Sequence, residues 1–207
     1  MLTLFHTAHV HKATFDVLRD RIAPDTALDH KVRTDWLTRA QDGIGDALRN
    51  EITDAVRAAP GRVVCTCTSI GMIAADAGAI RIDQPMMNEA ARLANSKSGA
   101  ILMVYCLKST LEPSVALLDD ALAQLNHPAK VHTLSLAEFW PLFEAGQSTA
   151  FTSVIAAAVR NAVGDVPNLT CVVLAQASMA SAATMLDDLE VPVLASPEMA
   201  LRAALAD

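Results

Sequence analysis

Two α/β lobes, each folded on a parallel sheet, are what the sequence predicts, and three observations predict them. Short apolar runs alternate with helical patterns along the 207-residue chain, as they do where strands and crossover helices take turns. Several of the runs, AILMVY (from Ala100) and CVVLA (from Cys171) among them, are apolar throughout, which strands of a parallel sheet buried on both faces require. The third observation is a unit that occurs twice. CTSIGMIAADAG from Cys67 is echoed by QASMASAATMLD from Gln176, and RIDQPM from Arg81 by LASPEM from Leu194. Cys67 to Gln176 is 109 residues and Pro85 to Pro197 is 112, so the offsets agree within a small insertion. Alanine-rich helices imitating one another are the competing explanation of the echo.

The elements follow in order. Strands are expected at 2–6, 28–33, 62–67, 100–106, 130–134 and 169–175, with shorter extended pieces at 80–82 and 191–194. Helices are expected over 11–22, 44–58, 85–94, 113–125, 151–163 and 181–189, where apolar residues recur at helical spacing. The division this implies is a first lobe at 1–96 carrying Cys67 on its wall and a second at 97–207 carrying Gln176, with the C-terminal segment packing back across both. Two such lobes facing each other would set Cys67 and Gln176 on opposite walls of an inter-lobe cleft.

Composition narrows the function. Hydrophobic residues make up 52% and charged residues 19%, enough apolar material for a sizeable core and too much for a disordered chain. Lys and Arg number 16 against 23 Asp and Glu, a net charge of −7 with no basic run, so neither nucleic acid nor an anionic membrane surface is expected as a partner. An anionic substrate must be held by local groups. The N-terminus MLTLFHTAHVHK lacks a basic segment leading into a long apolar one. The uncharged stretch 166–186 contains Pro167, Asn168 and Gln176 and reads as a buried strand entering a helix. Four cysteines form no scaffold and no paired zinc spacing; a soluble, cytoplasmic, reducing setting is expected.

Cys67 is the chemical focus. It stands where the strand run VVCTC gives way to the small-residue run TSIGMIAA, at a strand end and a helix start, where open α/β sheets bind ligands. Unpaired N–H groups and the helix dipole there should lower a thiol pKa. The same N–H groups, with the Thr68 and Ser69 hydroxyls, could hold a substrate carboxylate. A thiolate beside a carboxylate can remove or deliver a proton at the adjacent carbon. Cys65, Cys106 and Cys171 fall inside apolar runs and read as small core residues. No glycine-rich phosphate loop follows a strand. The histidines of HTAHVH (His6, His9, His11) lack a further ligand at metal spacing, so no metal is expected.

These residues resemble a family. The strand–Cys–Thr–Ser–small turn, its counterpart in the second half and the proline-turned segment after each are similar to the aspartate/glutamate/hydantoin racemase superfamily, which includes maleate isomerases and arylmalonate decarboxylases. HTA, CTCTSIG, RIDQPM, STLEPS, LAQASMA and VPVLASP fall in the family's order over nearly the whole chain. The resemblance implies two pseudo-twofold-related flavodoxin-like lobes, a cofactor-free enzyme with its site between them, a small carboxylate-bearing substrate and a homo-oligomer. In the two-base racemases one cysteine from each lobe faces the stereocentre. Cys67 occupies the first position, but Gln176 stands in the second, and an amide is no acid or base near neutral pH. Arylmalonate decarboxylases use one cysteine, in the second lobe, so this chain has the mirror arrangement.

The expected catalytic pair is therefore Cys67 and Gln176. Substrate-binding candidates are His6 and Thr7 after the first strand, Thr68 and Ser69, Asp83 in RIDQPM, Ser109 and Thr110 in KST, and Ala177 and Ser178, whose N–H groups could stabilise an enolate. His6 is either a second proton carrier or a satisfied imidazole at a strand end. Arg81 and Asp83 either serve the site or form a salt bridge with each other. The expected activity is cofactor-independent racemisation or isomerisation through proton transfer by Cys67 beside a carboxylate. A malonate-type decarboxylase with Cys67 as proton donor and a non-catalytic carboxylate-binding protein are the alternatives.

Overall fold

The computed structural model describes residues 1–97, 99–126 and 128–206. The chain forms two compact units, Met1–Pro85 with Pro197–Asp207, and Met86–Ser196. The boundary near residue 96 read from the sequence thus falls at 85/86, and the C-terminal segment belongs with the first unit.

In the first unit, β1 (Leu2–His6) lies between β2 (Leu28–Val32) and β3 (Arg62–Cys65), and β4 (Ile80–Arg81) pairs with β3, all parallel. Strand periodicity assigns the faces. Phe5, Val63 and Cys65 point one way, into a core with Trp36, Leu48, Ile52, Val56, Ile70 and Ile73. These come from α2 (Thr34–Gln41), α3 (Asp46–Ala58) and α4 (Thr68–Asp76). Trp36 stacks on Phe5 with ring centroids 5.6 Å apart; truncating a buried aromatic of this kind costs about 3–5 kcal/mol. His6 points the other way, toward Phe15 of α1 (Val10–Ile22), centroids 5.7 Å apart. Helix α1 stops ahead of Pro24, which disfavours helical backbone at the residue before it. Gly61 turns the chain into β3 at φ +72°, where a Cβ would sit 2.7 Å from the Met1 carbonyl oxygen, so only glycine fits.

The second unit repeats the plan. After α5 (Gln84–Lys97), β5 (Ala100–Tyr105) lies between β6 (Val131–Ser135) and β7 (Leu169–Leu174), with β8 (Val193–Ala195) beside β7. The strand orders β2-β1-β3-β4 and β6-β5-β7-β8 are the same topology, so the echo in the sequence is a repeated fold. Helix α6 (Lys108–Gln124) follows β5, and α7 (Trp140–Glu144) and α8 (Ser148–Val163) follow β6. Phe151, Ile155 and Val159 of α8 cover Leu102, Val104, Val172 and Leu174. Finally α9 (Ser196–Leu205) returns to the first unit, where its Ala204 carbonyl accepts a hydrogen bond from the Arg62 guanidinium at 2.7 Å.

Two expected helices differ. The window 181–189 is occupied instead by a 3-10 segment, Ala177–Met185. Its buried residues Met179 and Ala182 are three apart, the period of a 3-10 turn, and the Thr184 hydroxyl bonds the Ser181 carbonyl at 2.9 Å, the competition by hydroxyls that weakens α-helix. Helix α6 starts at Lys108, before the Pro113 that suggested its first turn. The short α2 went unread because Trp36 and Ala40 are its only buried residues.

Candidate active site

Parallel strands bring their C-terminal ends to one edge of each sheet, and the candidate residues sit at those ends. In the first unit β3 ends at Cys65, while the Thr66 N–H still reaches the Phe5 carbonyl at 2.9 Å. Cys67 is extended (φ −129°, ψ 118°) and caps α4, whose first residues are Thr68 and Ser69. Cys67 is 8% exposed. It closes no side-chain capping hydrogen bond, yet the Thr7 hydroxyl and the N–H groups of Ile70 and Ser69 face its sulfur and favour the thiolate. Burial outweighs them and raises the thiol pKa. The lowered pKa expected from the helix dipole is thus corrected, because desolvation of a charged sulfur exceeds the help of a few N–H dipoles. Burial also raises Cys106 to about 12 and Cys171 to about 11, and raises Cys65; all three are buried in the strands or at their ends.

His6 is fully buried. Its Nδ1 lies 2.8 Å from Thr66 Oγ1 and its Nε2 2.7 Å from His30 Nδ1, and His30 Nε2 lies 3.2 Å from Asp16 Oδ1. Burial, then the neighbouring His11 and His30, lower its pKa to about 3. Of the two readings the satisfied imidazole is the one observed. Neither His30 nor Asp16 was singled out from sequence; the available signal was strand alternation, which puts His6 of β1 and His30 of β2 on one face. His11, lowered to about 4 by burial, joins no metal cluster: the described residues contain no group of three or more His, Cys, Asp or Glu placed to hold an ion.

Asp83, expected as a substrate contact, is enclosed by Arg81. It is 0% exposed, and both its carboxylate oxygens accept from Arg81, from Nε and from one terminal nitrogen, each at 2.9 Å. Of the two readings of Arg81 and Asp83, the mutual salt bridge is the geometry found. Gly71 makes room for it: a Cβ there would lie 3.2 Å from Arg81 Nε.

In the second unit Gln176 follows β7 with extended backbone (φ −121°, ψ 138°) and leads into the 3-10 segment that begins with Ala177 and Ser178. Its side-chain oxygen accepts the Cys106 N–H at 2.6 Å and the Leu107 N–H at 2.9 Å. Two N–H partners fix which end of the amide is oxygen. Leu107 caps α6, so Gln176 stabilises the very turn that carries Ser109 and Thr110, which is also why α6 begins ahead of its proline. Thr110 is buried and Ser109 half-buried. The Ser178 hydroxyl oxygen is buried without a hydrogen-bond partner among the described residues. The structure thus places Cys67, Thr7, Thr68 and Ser69 together in one unit, and Gln176, Ala177, Ser178, Ser109 and Thr110 at the equivalent strand ends of the other.

No protein-family model matches the sequence, and no curated protein does. Solved structures do. A glutamate racemase isoform from Bacillus anthracis superposes with a TM-score of 0.68 at 13% identity over 100% of this chain and 79% of that one. An aspartate racemase from Picrophilus torridus gives 0.67 at 11% identity over 100% and 92%. An unliganded arylmalonate decarboxylase gives 0.54 at 12% identity over 99% and 90%. Among the described residues no helix is long and apolar enough to cross a membrane. The two parallel four-stranded sheets with their helices are thus a fold shared with these racemases and with the arylmalonate decarboxylase.

Proposed function

We propose that the protein is a cofactor-independent enzyme of the racemase/isomerase type that moves a proton at a carbon beside a carboxylate, with Cys67 as its acid/base. The observation that carries this reading is the sulfur at the N-cap of α4, faced by the Thr7 hydroxyl and the Ser69 and Ile70 N–H groups, on a fold shared with racemases. In the proposed reaction a substrate carboxylate is held by backbone N–H groups and hydroxyls at the strand ends. The α-carbon proton passes to the thiolate form of the sulfur, N–H donors stabilise the enolate, and a proton returns either from the thiol, restoring the starting configuration, or from solvent water on the other face, inverting it. Gln176 supplies such donors through Nε2 and carries no proton itself.

One observation favours a second reading, a malonate-type decarboxylase. Burial keeps Cys67 a thiol near neutral pH, the form that delivers a proton. There a diacid loses carbon dioxide, the bonding electrons pass into an enediolate, the thiol protonates its carbon, and the thiolate recovers a proton from water.

The experiment is incubation with amino acids, hydantoins and substituted malonates in deuterated water, following α-deuterium by NMR and released carbon dioxide. Deuterium wash-in without carbon dioxide supports isomerisation, and carbon dioxide supports the decarboxylase. If Cys67→Ser keeps full turnover on whichever substrate responds, the assignment of the sulfur is refuted. Binding of dicarboxylates, seen as a raised Tm with neither signal, would leave a carboxylate-binding protein.

A further inference from the structure

The hydrogen bonds around His6 do more than fill a core. Thr66 Oγ1 lies 3.0 Å from the Phe5 carbonyl and 2.8 Å from His6 Nδ1, and a hydroxyl has one proton to give. Suppose it goes to Phe5 O. His6 Nδ1 then carries the proton of the next bond, its bare Nε2 accepts from His30 Nδ1, and His30 Nε2 donates to Asp16. All four contacts are hydrogen bonds, and His30 is an imidazolium against a carboxylate. Suppose instead that the hydroxyl turns to His6 Nδ1. His6 then donates from Nε2 to a neutral His30, which still donates to Asp16, while Thr66 Oγ1 and Phe5 O face each other as two acceptors. The two directions differ by one proton.

We propose that Asp16, His30, His6 and Thr66 form a one-proton relay that sets the direction of the Thr66 hydroxyl. The relay runs from a partly exposed carboxylate through the buried side chain of His30 to the fully buried His6, so proton exchange with solvent occurs at the Asp16 end. Its far end sits where β1 and β3 deliver Thr7 and Cys67. The charged and titratable groups facing it come from each packed element. Helix α1 presents His11, ring centroid 6.3 Å from that of His6, and Arg19, 3.7 Å from Asp16; β2 presents His30. Lys31 and Asp29 alternate to the opposite face and pair with each other at 3.0 Å. The strong resistance of His6 to a second proton fits a ring that changes tautomer without changing charge.

The test is 15N-imidazole NMR of the whole protein from pH 5 to 8. His6 should keep a single ring proton throughout and pass from the Nδ1–H to the Nε2–H tautomer as His30 loses one proton. In Asp16→Asn the passage should move to lower pH, and in His30→Gln it should vanish. A wild-type His6 that holds one tautomer over the whole range, or takes up a second proton within it, overturns the relay.

Discussion

Removing the Asp83 carboxylate should cost the first unit about 3–5 kcal/mol, because it takes from the buried Arg81 guanidinium the two charge-assisted hydrogen bonds that this carboxylate accepts. Arg81 is 9% exposed and Asp83 0%, and two bonds of 2.9 Å join them. The chain has two tryptophans, Trp36 in the first unit and Trp140 in the second, so Trp36 fluorescence in a Trp140→Phe background follows the right transition in urea. For a unit of this size a slope of about 1.5–2 kcal/mol per molar urea turns the loss in Asp83→Ala into a midpoint lower by about 2 M, with the slope unchanged. Arg81→Met with Asp83→Leu should recover most of it, since apolar replacements of a buried pair are often neutral. Gly71→Ala loads the same pair, because its Cβ would press at 3.2 Å on a nitrogen held by hydrogen bonds; overpacking of this kind costs about 1–3 kcal/mol. The reasoning fails if Asp83→Ala shifts stability by less than about 1 kcal/mol while substrate KM rises. Asp83 would then be a ligand, as the sequence suggested.

Three further outcomes are expected. Gln176→Leu abandons the buried N–H groups of Cys106 and Leu107, at about 1–3 kcal/mol for each unsatisfied donor, read in the urea transition reported by Trp140. Gln176→Glu keeps that cap, and its second oxygen should raise KM for an anionic substrate by repulsion. Acid should destabilise the first unit. His6 and His11 bind protons in the unfolded chain near pH 6.5 and in the folded one only near 3 and 4, so stability is full above pH 6.5 and is lost as pH falls toward 4. The Trp36 urea midpoint measured from pH 7 to 4.5 checks this, and His11→Leu should flatten the slope. Finally, Cys67 should alkylate more slowly at pH 7 than a free thiol, and Thr7→Val should slow it further, since the Thr7 hydroxyl opposes the effect of burial; mass spectrometry of the labelled peptide gives the rates.

What could be read from the sequence, and what could not, divides by the range of the interaction. AILMVY and LTCVVL announce β5 and β7 because a parallel strand covered on both faces must be apolar at every position. Cys67 announces itself because strand end and helix start meet there within a few residues. The direction of its pKa was not legible, because the helix dipole is local and burial is not. His30 lies in LDHKV, a strand with no apolar run. It becomes a partner of His6 only through the pairing of β1 with β2 that sets Leu4 opposite His30, and through Asp16 on a helix of another part of the chain.

Gln176 makes the same point from the opposite side. From sequence it is a missing cysteine; in the fold it is a present amide, whose oxygen reaches across to two N–H groups about 70 residues away in the chain. A thiol is a weak acceptor on a side chain two atoms shorter and cannot bridge the same pair. Gln176→Cys would therefore add a sulfur at this strand end only by loosening the start of α6 that holds Ser109 and Thr110. The variant should be less stable than the wild type and, if racemisation needs both sulfurs and nothing else, should gain it. A stable Gln176→Cys protein that gains no exchange at the α-carbon would refute the idea that a second sulfur is all that racemisation lacks.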